Sequence, residues 1–99
     1  MDKSEVIKKL QEYKKLLLPY YDLYKLVLYG SYANGKTREY SDIDVAVIVN
    51  KIEEDFFTYA PRLWSLRRGI DSRIEPILLI KDKDPSGFLS EILKTGIEI

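Results

Sequence analysis

The chain has 99 residues, with 16 Lys plus Arg against 16 Asp plus Glu, no His and no Cys, 45% hydrophobic and 32% charged residues. A length of this order fits one domain, residues 1–99, with a modest core and no second lobe, so a large substrate has to be met on a surface or in an open cleft. Zero net charge argues against a general nucleic-acid binder, and without Cys or His the chemistry falls to carboxylates, hydroxyls, Lys, Arg, Tyr and backbone amides.

Val6, Leu10, Tyr13 and Leu17 recur at helical spacing, with Ile7 widening the stripe, Asp2 or Ser4 as N-cap and Pro19 as the stop. Lys8, Lys9, Lys14 and Lys15 fall mostly off that stripe, as a solvated face. The run Tyr24–Tyr29 predicts a strand that enters a tight turn at Gly30, and residues 31–41 predict a short helical turn and a loop. Asp42–Val49 is apolar on both faces after its first residues, so it belongs at the centre of a helix-covered sheet. Residues 41–60 are acidic, with Asp42, Asp44, Glu53, Glu54 and Asp55 against only Lys51.

Phe56, Ala60, Leu63 and Trp64 predict a helix, broken or kinked at Pro61, with its better part from Pro61 to Arg68 and a stop at Gly69. Asp71–Ile80 predicts a third strand, which Pro76 assigns to an edge or a bulge. Asp84 and Pro85 read as N-cap and first helical residue of a last helix, with Phe88, Ile92 and Leu93 as its buried stripe and Gly96 as its stop; Ile97–Ile99 reads as a final strand. The apolar runs at 16–18 and 77–80 are far shorter than a signal peptide core or a membrane span, which predicts a cytoplasmic α/β protein.

Two short motifs stand on consecutive predicted strands. Gly30 at a strand end lets backbone approach a phosphate, and Ser31 offers a hydroxyl at the start of a helical turn, which together make an anion cradle. Asp42 and Asp44 project to one side of their strand, about 7 Å apart by strand rise, and two such carboxylates suit hard divalent cations that also take phosphate oxygens. A triphosphate between the two motifs would be held for in-line attack at its α-phosphate, with two metal ions assisting.

Gly30-Ser31-Tyr32-Ala33-Asn34-Gly35 followed by Ser41-Asp42-Ile43-Asp44-Val45-Ala46-Val47 resembles the signature of the minimal nucleotidyltransferases of the DNA polymerase β superfamily. The resemblance runs from the first helix to the Pro85-Ser86-Gly87-Phe88 tail. It implies an α+β core with a mixed sheet flanked by helices, Mg²⁺-dependent transfer of a nucleoside monophosphate from an NTP, and metal binding at Asp42 and Asp44. It also implies a third carboxylate on a later strand, for which Glu75 and Asp71 are the candidates. Glu75 is preferred because it sits within the strand, where an unpaired acid is costly without a metal, whereas Asp71 follows Gly69-Ile70 and suits a cap or turn. Three converging carboxylates repel one another, so the metal-free site should raise at least one pKa. Many relatives carry Arg where this chain has Asn34; Lys36 and Arg38 close by are the candidates to grip the outer phosphates instead, the alternative being a solvated loop.

Larger relatives add domains that select the acceptor. The resemblance therefore implies a helical HEPN-type partner protein, with this chain as the antitoxin-like half that transfers AMP from ATP onto a hydroxyl, such as that of a tyrosine, of the partner. A non-catalytic module that neutralises its partner by contact is the competing class, and Ser31, Asp42 and Asp44 favour the enzyme; a small-molecule nucleotidyltransferase completed by a homo-oligomer or a partner is the third. Tyr13, Tyr24 and Tyr29 are read as packing residues with a hydroxyl at the rim, and Tyr32 and Tyr40 as the tyrosines available to contact a base or ribose. Phe56, Phe57, Tyr59 and Trp64 are read as core, any exposed part being a partner site.

Overall fold

A computed structural model describes residues 2–35, 41–52 and 56–99. Lys36, Arg38, Tyr40 and the acidic run at 53–55 lie outside the described residues, as do the side chains of Asn34, Phe56 and Phe57. Asp2 accepts the Glu5 N–H at 2.9 Å and starts α1 (Lys3–Leu17), whose residues Val6, Leu10, Tyr13 and Leu17 are fully buried. Glu5 in the first turn and Lys14 and Lys15 in the last complement the helix dipole.

The remaining elements are β1 (Leu23–Leu28), α2 (Ser31–Asn34), β2 (Ile43–Val49), α3 (Phe56–Leu66) with a 3-10 turn at Arg67–Gly69, β3 (Ile74–Ile80), α4 (Phe88–Thr95) and β4 (Ile97–Glu98). The sheet order is β3-β2-β1-β4, with β1 antiparallel to β2 and β4, and β2 parallel to β3. The sheet is therefore mixed and flanked by helices on both faces, the α+β architecture expected.

Alternation along the strands divides the core in two. Ile43, Val45, Val47 and Val49 of β2, with Leu26, Leu28 and Ile74, pack under α1 and α3, where Tyr59 and Leu63 are also buried. The Tyr13 hydroxyl donates to the Leu63 carbonyl at 2.7 Å and ties α1 to α3. On the other face Val27, Ala46 and Ile48 meet Leu89 and Ile92 of α4, and Ile77 and Leu79 are only partly covered. Residues 45–49 of β2 are 0% exposed, as a central strand buried on both faces requires. Each fully buried Val, Leu or Ile side chain contributes about 1.5–3 kcal/mol.

Two expectations are corrected. The helix at 56–66 runs through Pro61 instead of breaking there. Proline removes one hydrogen bond, the one to the Phe57 carbonyl, and burial of Tyr59 and Leu63 on either side of it holds the two turns together. The last helix starts at Phe88, not at Pro85, with Gly87 as N-cap. Asp84 still caps it, but across a turn: its carboxylate accepts the Leu89 N–H at 2.9 Å and the Ser90 N–H at 3.0 Å. The buried face of the helix is Leu89 and Ile92, while Phe88 and Leu93, expected in that face, are exposed.

Pro76 lies on β3, an edge strand, where its missing N–H costs no ladder bond on the open side, and the β2–β3 register runs through it without a shift. At Gly96 a Cβ would come within 2.4 Å of Val27 Cγ1 and 2.7 Å of the Ile92 carbonyl, so close packing requires glycine there.

Candidate active site

The parallel pairing of β2 with β3 sets Asp44 directly beside Glu75. Paired residues on adjacent strands share a face, and for these two it is the α4 face, opposite α1 and α3. Asp42 enters β2 two residues earlier and is exposed, so alternation puts it on the same side as Asp44. Its charge acts on Glu75, as that of Asp44 does.

Gly30 completes the arrangement from the neighbouring strand. It follows β1 with φ +73°, and the Tyr29 N–H donates to the Asp44 carbonyl at 3.0 Å, which brings the Gly30-Ser31 turn against Asp44. A Cβ at Gly30 would stand 2.4 Å from Asp44 Oδ2. Only glycine leaves that carboxylate its space and also adopts this backbone conformation cheaply. Ser31 begins α2, a single turn with no side-chain cap on its amides.

The electrostatics follow from this crowding. Burial raises the Asp44 pKa, and the Asp42 charge adds to it. Burial also raises that of Glu75, with the charges of Asp42 and Asp44 acting the same way and Arg67 opposing. The Tyr29 hydroxyl is pushed up by burial and then by Asp44 and Glu75. Tyr29 packs against the α4-side core, as expected, with its hydroxyl near Asp44 and Glu75, and its ring meets Phe88 edge-on at 5.8 Å. Pairing Tyr29 with Asp44 across the β1–β2 hairpin is the signal that would have placed it there.

Asp71 stands apart. Its side chain is 7% exposed and accepts Lys9 Nζ at 2.8 Å and Arg73 Nη2 at 2.9 Å. It also accepts the Arg73 backbone N–H at 2.8 Å, the turn geometry expected of it. Those bonds to Arg73 and Lys9 hold its pKa well below the usual carboxylate range. Tyr32 is 2% exposed, inside the core rather than presented to a nucleotide, and its hydroxyl is buried without a partner. Lys36, expected at the phosphates, is outside the described residues, and so is Tyr40.

A cavity of about 370 Å³ lies at the far end of β2 and β3, lined by Asn50, Lys51, Ile52, Ile80, Asp82 and Lys83. None of the described candidate residues lines it; Asp42, Asp44 and Glu75 share the other end of the sheet. Among the described residues no three acidic side chains already stand close enough to close on a metal ion. Their chemistry fits one nonetheless: the donors are all carboxylate oxygens, as Mg²⁺ prefers, and the absent Cβ of Gly30 keeps Asp44 Oδ2 open. Among the described residues no helix is long and apolar enough to cross a membrane.

Comparison with known proteins bears on the family and the fold. The family model described as a nucleotidyltransferase domain matches residues 3–99. A candidate protein adenylyltransferase from Methanocaldococcus jannaschii is 43% identical over 44 residues, a segment that is 44% of this chain and 44% of that relative. The chain thus matches less than half the length of that protein. A candidate nucleotidyltransferase from Sulfolobus solfataricus superposes with TM-score 0.67 at 21% identity, covering 97% of this chain and 80% of that one. A chain from a toxin-antitoxin structure determined with AMP-PNP superposes with TM-score 0.61 at 20% identity, covering 99% and 72%. These likenesses share the fold, and the family match over nearly the whole chain shows that it belongs to the nucleotidyltransferase domain family, a family of nucleotidyl-transferring enzymes.

Proposed function

We propose that the chain transfers AMP from ATP to a hydroxyl of a partner protein, with Mg²⁺ held by Asp42, Asp44 and Glu75. The observation that carries this is the β2–β3 register, which pairs Asp44 with Glu75 beside a glycine that leaves room for the Asp44 carboxylate. Bound Mg²⁺ would neutralise charge that develops on the triphosphate and its pyrophosphate leaving group. Asp42, Asp44 and Glu75 supply the oxygen ligands, and their mutual repulsion is relieved when they do. The Gly30-Ser31 turn presents backbone amides and the Ser31 hydroxyl to phosphate oxygens. In the overall reaction the acceptor oxygen bonds to the α-phosphorus, the bond to pyrophosphate breaks, and the acceptor's proton is released.

A protein acceptor is supported by the Methanocaldococcus relative, a candidate protein adenylyltransferase. Pairing with a toxin, and use of an adenine nucleotide, are supported by the second structural neighbour, a toxin-antitoxin with AMP-PNP. The resemblance of the Gly30–Gly35 and Ser41–Val47 segments to minimal nucleotidyltransferases supports a HEPN-type helical partner with a tyrosine acceptor. The test is incubation with α-labelled ATP and Mg²⁺, with and without a co-expressed neighbouring protein. Label on the partner that vanishes in Asp42→Asn is the expected result. A tight complex that never takes label would overturn the enzymatic reading in favour of neutralisation by contact.

A further inference from the structure

Arg67 lies outside both motifs, yet the chain folds around it just before Glu75. Its carbonyl accepts the Ile70 N–H at 2.9 Å and the Asp71 N–H at 3.0 Å, which closes the 3-10 turn. Its guanidinium Nη1 then reaches forward, donating to the Ser72 carbonyl and, at 3.0 Å, to the Ile74 carbonyl. Those two carbonyls flank Arg73, whose own carbonyl accepts the Ile43 N–H at 2.8 Å and so joins this turn to β2 one residue before Asp44. The guanidinium lies over the Trp64 ring, its carbon 4.6 Å from the centroid, a cation–π contact. Its Nε is buried with no partner. An unsatisfied buried donor is a cost that the two carbonyl contacts and the ring contact must offset.

We propose that Arg67 is a positioning residue for the third carboxylate: by gripping the Ser72 and Ile74 carbonyls it fixes the peptide from which Glu75 projects toward Asp44. The inference rests on the proposed metal role of Glu75. Positioning groups behind metal ligands typically change affinity or activity by about 10- to 100-fold. The positive charge of Arg67 also acts on Glu75, so charge and geometry have to be separated. Lysine separates them, because it keeps the charge but loses the planar fork.

The test measures Mn²⁺ affinity by electron paramagnetic resonance, without nucleotide, for the parent chain, Arg67→Ala and Arg67→Lys, at a temperature well below each melting midpoint. Mn²⁺ binding about 10- to 100-fold weaker in Arg67→Ala is expected. Arg67→Lys should lie within about threefold of it, and transfer assays should show the loss in kcat more than in KM for ATP. Should Arg67→Ala fail to fold, Arg67→Lys decides alone. Parent-like Mn²⁺ affinity in Arg67→Ala, or full restoration in Arg67→Lys, would overturn the proposal. A parent chain that binds no Mn²⁺ overturns the proposed metal site itself, and Arg67's role with it, so the two failures are told apart by the parent measurement.

Discussion

Asp71 and Glu75 stand four residues apart on the approach to and along one strand, and their surroundings are opposite. Asp71 is held by two cations and a backbone amide, so its carboxylate is already satisfied. Glu75 faces Asp42 and Asp44, with burial and like charge both disfavouring its ionised form. A carboxylate with its charge answered by protein contributes stability; one answered by other carboxylates withholds it until something cationic arrives. The first kind holds the fold together, and the second is the kind on which the proposed metal site rests.

The largest expected effect is on chemistry. Asp44→Asn should lower Mg²⁺-dependent transfer by at least about 10³-fold, since several kcal/mol of transition-state stabilisation is at stake and each 1.36 kcal/mol is tenfold. The same variant should be as stable as the parent without metal, or more so, because it removes a repelled charge. A clear drop in its metal-free melting temperature would break the comparison.

Gly30→Ala comes next. The added Cβ meets Asp44 Oδ2, and the backbone there has φ +73°. Strain of about 1–2 kcal/mol and a displaced carboxylate should lower kcat about 10²-fold while the chain stays folded. Parent-like kcat in that variant would show that Asp44 does not need the space.

Asp71→Asn should act the other way, on stability first. Losing ion pairs with partners that are about one-third exposed should cost about 1–3 kcal/mol, or roughly 5–15 °C in melting temperature, while transfer stays within about tenfold of the parent. Differential scanning calorimetry and the labelled-ATP assay read the two quantities separately.

The smallest effect is on pH dependence. The Asp71 pKa is lowered on folding, so its contribution is present above about pH 4 and is lost as pH falls through the folded value. The Asp44 and Glu75 pKa values are raised, so metal-free stability is greatest below about pH 4 on their account and declines as pH rises through the folded values. Metal-free melting curves of Asp44→Asn/Glu75→Gln should lose the decline on the rising side, and those of Asp71→Asn the loss on the acid side. Unchanged profiles would mean that these environments are not felt energetically.

Much of this division is legible in the residues. Alternation puts Asp42 and Asp44 on one face, and Pro76 marks β3 as an edge, because both rest on local geometry. Choosing between Asp71 and Glu75 on sequence is harder, since alternation along the expected strand, Asp71–Ile80, treats them alike, whereas β3 begins only at Ile74; the partners that separate them, Lys9 on α1 and Asp44 on β2, are distant in sequence. The start of α4 is missed for a related reason: Asp84 caps amides five and six residues ahead, across a turn that N-cap spacing does not foresee. Tyr29 is legible as a packing residue with its hydroxyl at the rim, but its place beside Asp44 exists only once β1 and β2 pair.

The most direct test of the contrast is the melting shift produced by Mg²⁺ with ATP in Glu75→Gln and Asp71→Asn, measured side by side with the parent. The shift should disappear in Glu75→Gln and persist in Asp71→Asn from a lower starting temperature. A shift retained in Glu75→Gln and lost in Asp71→Asn would contradict the assignment of Glu75 as the third carboxylate.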